Sequence, residues 1–541
     1  MGNLKNLLWI VMAGLAAASC GKSGSESTMP EAAGLEHVEM RGELAERINR
    51  NFDRMESDLY RPSAVYWSEE ESGGWPADKE GRTMLALVMD ARASGRTPVY
   101  LKELVGMLPS HLNERGYMGS VHDFVDEQQL SGHGWLLRAL CEYYEWTGDK
   151  SVMETAGGIA DSLFLPIASV VEKYPISPDS RRRDVGDMSG SAQNVISGWR
   201  LSSDVGCVFI GMDGLIHYYS HNPKPELKAL IDSLIDLFMK IDLIGIKAQT
   251  HATLTSLRGI IRYAKATGDY SLIPEVEKRW DLYRKYGMTE NYENYNWFCR
   301  YDTWTEPCAI IDSYIVAMQL WQLTRRPEYL EDAERIYYNG ICVTQRANGG
   351  FGCDKPVGHV YEDLSVHCDE AHWCCTMRGG EGLGRVAEYS YFVKGDTIFV
   401  PSYHDSRLTL DDVVIDQKSD YPFGNRVVLE LSGGSGATLA LSAPGYMNIE
   451  CISVNGKSIS PNTSNGFVTV EGLNDGDRVE LNYSFKAEKR EVPGRAEPKK
   501  YKMVYGPLVL GAEGDSIAPL YHLMSPEVSV DSGYSRKVVA E

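Results

Sequence analysis

Two cysteines stand side by side at Cys374 and Cys375, inside His-Trp-Cys-Cys-Thr-Met-Arg-Gly-Gly (His372–Gly380). Neighbours in sequence make poor disulfide partners, because the ring they close is strained. A second pairing of ligand-type atoms lies upstream, Glu306 and Cys308 in Thr-Glu-Pro-Cys. Thiolate sulfur and carboxylate oxygen both ligate zinc, and four such residues from two segments can close a tetrahedral site. Buried inert thiols, and disulfides such as Cys353–Cys368, are the alternatives that residue types leave open.

Cleaving a sugar linkage takes an acid/base and a second group, on opposite sides of the bond. A cysteine serves as nucleophile once its surroundings lower its pKa. Acid candidates are Glu290 and Glu293, in Thr-Glu-Asn-Tyr-Glu-Asn-Tyr-Asn-Trp. That loop is dense in aromatic and amide side chains, as carbohydrate sites often are; a packed surface loop is the plainer reading.

Such residues need elements to bring them together. From about Met40 to Ser390 apolar residues recur at three and four, the period of helices. Breaks fall at Ser94-Gly95, Thr147-Gly148-Asp149, Asn222-Pro223, Thr267-Gly268-Asp269 and Thr324 to Pro327, roughly fifty residues apart. Repeated helical hairpins close into a solenoid or a toroid. Long inserts at 176–200 and 289–306 favour the toroid, whose loops build a pocket at one mouth. After Tyr391 the period becomes two, with an Asn-Gly hairpin signal at Asn455-Gly456. The expectation is a mainly α chain with a C-terminal β domain: barrel over 41–390, β-sandwich over 391–541.

The chain has 541 residues, 43% hydrophobic and 24% charged, an ordinary globular balance. Its net charge of −21 argues against nucleic acid as a partner. Residues 1–19 read as an export signal ending at Cys20, in the manner of a bacterial lipoprotein whose cysteine carries lipid. A flexible tether over 20–40 would follow. The implied location is an exported lipoprotein with a periplasm-facing anchor, cell-surface display being the alternative; the lipid is the expected membrane contact.

The same residues resemble the cysteine-type β-L-arabinofuranosidases of glycoside hydrolase family 127 and its sister families, from about Met40 to Glu513. The resemblance implies an (α/α)6 barrel followed by β-sandwich modules. It implies one Zn2+ held by Glu306, Cys308, Cys374 and Cys375, with Cys374 as nucleophile. Glu290, sixteen residues before Glu306, takes the acid/base place, and Glu293 is the second choice. Glu127 to His133 resembles a pocket segment that places His133, and the stretch from Thr250 places His251, both as substrate-binding residues. The implied activity is a retaining exo-hydrolase releasing β-L-arabinofuranose from plant-type oligosaccharides or polysaccharides.

Two stretches depart from the family pattern. Thr376-Met377-Arg378 follows the cysteine pair in place of Pro-Pro-Asn, and Gly211-Met212-Asp213 replaces a Gly-His motif. Arg378 could bind a substrate carboxylate, which suggests an acidic sugar, or bridge an acid such as Glu381. The alternatives are therefore a hydrolase or lyase for an acidic sugar, and a non-catalytic glycan-binding lipoprotein.

Overall fold

The computed structural model describes residues 29–66, 74–181, 189–492, 498–524 and 535–541. The export signal and Cys20 lie outside the described residues.

Six helices form a closed ring: Asp78–Ser94, Glu127–Thr147, Val208–His221, Thr250–Thr267, Pro307–Thr324 and Cys375–Glu388. Each packs on the next in chain order, and the last returns to the first. Helices outside the ring back them: Gly42–Met55, Leu101–Met107, Lys150–Ile159, Pro225–Met239, Ile273–Tyr286 and Pro327–Ile336. This is the (α/α)6 barrel that the sequence leads one to expect.

The two rings differ in pattern because they differ in burial. Gly42–Met55 buries Leu44, Ile48, Phe52 and Met55, a single stripe at helical spacing. Pro307–Thr324 is buried on every face from Pro307 to Gln322 and carries apolar residues all round. The hairpin turns fall where the sequence marks them. Gly95, Gly148 and Gly268 adopt φ of 70, 72 and 73°, and each N–H returns to the carbonyl of the last turn. Close approach of two inner helices also requires glycine: a Cβ at Gly214 would lie 2.2 Å from the Gly134 carbonyl oxygen.

Two sheets follow. One has six strands in the order Glu31–Ala32, Phe392–Lys394, Thr397–Val400, Ser435–Ser442, Phe467–Asn474, Asn462–Ser464. The other has seven: Lys457–Ile459, Asn448–Val454, Arg478–Ser484, Arg426–Gly433, Val413–Ser419, Ser406–Thr409, Val38–Met40. Leu439, Leu441 and Val468 of the first share a core with Ile415, Leu429 and Leu481 of the second.

Two expectations need correction, and one insert holds strands of its own. The last ten residues of the supposed tether supply the outermost strand of each sheet, because Val38 and Met40 alternate with exposed Glu39 and bury their side chains. The segment after residue 391 is more than a sandwich. A third sheet joins Ala487–Glu491, Tyr501–Tyr505, Leu508–Glu513 and Ser535–Lys537 to Asp363–Cys368 and Cys353–Asp354 from the barrel region. It has its own small core, in which Val504, Val509 and Val539 meet Val357 and Leu364. Finally, the insert around residue 190 contains a hairpin, Ala192–Ile196 with Trp199–Ser202, which pairs in parallel with Val125–Asp126. Cys353 and Cys368 face each other in register, yet all ten described cysteines are free thiols.

Candidate active site

A cavity of about 310 Å3 opens at one mouth of the ring, with Trp75, Arg82, Asp204, His251, Glu306 and Cys374 among its walls. The site residues sit at helix starts. Glu306 and Cys374 immediately precede Pro307–Thr324 and Cys375–Glu388, and His251 is the second residue of Thr250–Thr267. Inner-helix N-termini therefore point at the cavity, and their partial positive charge favours thiolate and carboxylate there.

Three sulfurs converge at the floor. Cys308 Sγ lies 3.3 Å from Cys374 Sγ and 3.7 Å from Cys375 Sγ. Arg82 Nη1 donates to Cys308 Sγ at 3.5 Å. Hydrogen bonds from Cys308 and Cys375, with the charges of Arg82 and His251, outweigh burial and hold the Cys374 thiol well below the usual thiol range. Cys308 and Cys375 are pushed well above it, so the cluster concentrates its negative charge on Cys374. Two donor groups overlap here: Cys308, Cys374 and Cys375, and His251, Glu306 and Cys308, the atoms of each within 4.8 Å of one another. Three thiols with a carboxylate and an imidazole make a donor set suited to a soft divalent metal.

Glu306 is held from several sides. Its N–H donates to Asn294 Oδ1 at 2.8 Å. His251 Nδ1 is 3.1 Å from Oε1, and Gln249 Nε2 donates to Oε2 at 3.4 Å. With its amide turned to satisfy both ends, Asn296 donates to Oε2 at 2.9 Å and accepts from Trp304 Nε1 at 3.2 Å. The other face of His251 meets Asp312, Nε2 to Oδ2 at 3.4 Å. Burial opposes protonation of His251, but Glu306 and Asp312 outweigh it and raise its pKa.

Beneath the cavity lies an ion network that residue types did not announce. Asp312, one turn after Cys308, accepts from Thr255 Oγ1 at 2.6 Å, Arg258 Nη1 at 2.6 Å and Arg378 Nη2 at 2.5 Å. Arg378 also contacts Glu381, which pairs with Arg138, while Asp213 takes Arg258 at 2.6 Å and Arg138 at 3.2 Å. These six charged side chains of the network are essentially inaccessible to solvent.

The structure thus gathers Glu306, Cys308, Cys374, Cys375 and His251 and leaves the other candidates apart. Arg378 is spent on Asp312 and Glu381 and is absent from the cavity wall, so a role in binding a substrate carboxylate does not fit. Asp213 is likewise in the network rather than the wall. His133 is fully buried outside the wall, its Nε2 accepting the Met118 N–H at 2.9 Å and its Nδ1 donating to the Gln129 carbonyl at 2.7 Å. A neutral ring with both nitrogens engaged has no valence for sugar. Glu290 faces the third sheet: Lys502 Nζ donates to its carbonyl at 2.6 Å and lies 3.7 Å from Oε2. Glu293 is sealed beside Asp354, and burial with that neighbouring charge pushes its pKa well up. Neither glutamate lines the cavity. Asp204 does line it and was missed; its signal, Leu-Ser-Ser-Asp-Val-Gly, contains nothing but a turn between strand and helix.

The bonding of His133 has a measurable consequence. Burial lowers its pKa from 6.5 to about 4. The folded state prefers the neutral ring, so its stabilisation is complete above pH 6.5 and drains away as pH falls towards 4. At pH 5 the loss is about 2 kcal/mol. His133→Gln keeps an acceptor for Met118 N–H without the titration. Melting temperatures at pH 7 and pH 5 should fall less in that variant than in the unmodified protein; equal falls would refute the assignment.

The description "Beta-L-arabinofuranosidase, GH127 catalytic domain" fits residues 117–388, and "Beta-L-arabinofuranosidase, GH127 middle domain" fits residues 397–485. Among curated proteins none matches. Solved structures of similar fold include a GH127 beta-arabinofuranosidase, at TM-score 0.63 and 17% identity over 90% of this chain and 86% of the other. A glycoside hydrolase aligns at TM-score 0.65 and 17% identity, over 90% and 84% of the two chains. A GH127 beta-L-arabinofuranosidase from Geobacillus stearothermophilus T6 aligns at 0.60 and 17%, over 86% and 80%. At such identity these likenesses speak for the fold. The catalytic-domain match alone spans about half of the chain, and on that ground the protein belongs to the GH127 beta-L-arabinofuranosidase family and is a glycoside hydrolase of that kind.

Proposed function

We propose that this hydrolase is a retaining exo-enzyme that releases a terminal β-L-arabinofuranose from plant-type glycans, with the Cys374 thiolate as nucleophile. The observation that carries the proposal is the convergence of three sulfurs beside Glu306 at the floor of a small cavity. At about 310 Å3 that cavity is at the lower end of the ~300–1,000 Å3 range of ligand sites, a size for a terminal sugar. Exposed Trp373 at its rim offers a face on which a further sugar ring can stack.

The donor set fits zinc. Tetrahedral bonds of about 2.3 Å set sulfurs roughly 3.8 Å apart, and the observed separations are 3.3 and 3.7 Å. Glu306, Cys308, Cys374 and Cys375 would hold the ion, which when bound supplies a fixed positive charge that keeps the sulfur ionised. His251 and Asn296 orient Glu306. Cys374 attacks the anomeric carbon as an acid protonates the departing oxygen, forming a thioglycosyl enzyme. Water, deprotonated by the same group, then displaces sulfur, and the two inversions give retention. The reading of an acidic sugar loses its support with the burial of Arg378.

Purified protein should contain one equivalent of zinc and hydrolyse an aryl β-L-arabinofuranoside. Cys308→Ser should lower both the zinc content and the activity. Full activity in protein freed of zinc would sink the metal assignment, and inertness towards every aryl arabinofuranoside would sink the substrate.

A further inference from the structure

A retaining mechanism requires a proton donor in the same cavity as its nucleophile, and neither Glu290 nor Glu293 is there. Among the described residues the cavity wall carries four carboxyl groups, on Asp78, Glu80, Asp204 and Glu306. Glu306 belongs to the donor set around the sulfurs. Asp78 is bound by Arg82, Nε to Oδ2 at 2.8 Å. Glu80 has a partner of its own. Asp204 differs: its hydrogen bonds come from neutral donors, Ser189 Oγ at 3.1 Å to Oδ1 and Gly190 N–H at 3.1 Å to Oδ2.

The backbone that carries Asp204 is pinned on both sides. Ser203 N–H donates to the Ser191 carbonyl at 2.9 Å, Ser191 N–H donates back to Ser203 Oγ at 2.9 Å, and Asp204 N–H donates to Ser202 Oγ at 3.1 Å. The Asp204 carbonyl then receives Cys207 N–H at 3.0 Å as the chain turns into Val208–His221. A rigid turn, fixed to the hairpin and the inner ring, thus presents one carboxyl to the cavity.

We propose that Asp204 is the acid/base catalyst of this enzyme, in the place that resemblance alone gives to Glu290. The assignment rests on the retaining-hydrolase reading above. In the first step the anomeric C–O bond breaks, its electron pair goes to the departing oxygen, and that oxygen takes the Asp204 proton as the Cys374 S–C bond forms. In the second step Asp204 takes a proton from water, the new C–O bond forms, and the S–C pair returns to sulfur. Burial raises the Asp204 carboxyl above the usual carboxylate range, towards neutrality, where a group can both give and take a proton. Glu306 and His251 are the charged groups that act on it across the cavity, the first raising and the second lowering its pKa.

The test compares Asp204→Asn, Glu80→Gln and Glu290→Gln on two arabinofuranosides, one with an alkyl and one with a dinitrophenyl leaving group. Loss of an acid catalyst costs on the order of 10^2–10^4-fold for the alkyl group and far less for dinitrophenolate, which departs unprotonated. Asp204→Asn should show that split, lose the basic limb of its pH profile, and be rescued by azide to give a glycosyl azide of retained configuration. Asn keeps an acceptor for Gly190 N–H; Asp204→Gly, with room for azide, repeats the rescue should Asn disturb the fold. An Asp204 variant that matches wild type on the alkyl substrate overturns the proposal, as does azide rescue in the Glu80 or Glu290 variant instead. If Cys374→Ser is as active as wild type, the retaining-cysteine reading itself fails; if only Asp204→Asn is silent, the failure is confined to this residue.

Discussion

Cys374→Ser should lower kcat/KM on an aryl β-L-arabinofuranoside by on the order of 10^4-fold or more, as removal of a nucleophile does elsewhere. The substitution changes one atom and little volume, so the loss would be chemical. A serine hydroxyl has no comparable ionised fraction near neutrality, and the neighbours that depress the Cys374 thiol are matched to sulfur. Kinetics alone would not separate Cys374 from its neighbours, since Cys308→Ser also perturbs the cluster. Intact mass after rapid quenching does: a glycosyl adduct should appear on wild-type protein and be absent from Cys374→Ser. Near-normal turnover in the serine variant would leave the nucleophile assignment without support.

Asp312→Ala should be among the most destabilising single changes, by about 3–5 kcal/mol. Asp312 has no solvent exposure and answers two guanidinium groups, Arg258 and Arg378, as well as Thr255 Oγ1. Burial alone would raise its pKa, but the two arginines outweigh burial and hold it well below the usual range. Removing it leaves two buried cations short of an anion, and water cannot reach them. The effect should extend upward, because Asp312 also backs His251, which in turn holds Glu306. A thermal or urea transition measures the first effect, and the affinity for the proposed zinc measures the second. A cost below about 1 kcal/mol would show the network to be redundant at this point.

The sequence was most informative where chemistry coincides with an unusual residue pattern. Cys374, Cys375, Glu306 and Cys308 stand out by type and spacing, and they meet within a few ångströms. Helical hairpins were legible because Gly95, Gly148 and Gly268 are forced by left-handed caps. His133 and Arg378 were misplaced for a common reason: a segment can be recognised one-dimensionally, but which face of a helix meets the cavity depends on packing. His133 turns to backbone partners, and Arg378 turns to Asp312 on the neighbouring inner helix and to Glu381 on its own. Asp204 was invisible because its neighbourhood is a plain turn, and only the hairpin behind it brings it to the wall. The strands at 353–354 and 363–368 escaped notice because they are short and lie between helices, where the period-two signal has no room to develop.

The strands Glu31–Ala32 and Val38–Met40 bear on how this architecture can be divided. Each pairs at the rim of a sheet otherwise made of chain some 350 residues later, with Phe392–Lys394 and Ser406–Thr409 respectively. The polypeptide therefore passes through the β layers first, lays down the ring, and returns to finish what it began. A fragment that starts at residue 391 has two open sheet margins, the kind of unpaired backbone that invites self-association. The barrel and the sheets are not two beads on a string that a genome could shuffle. They are one circuit, and any cut between them breaks it at both ends.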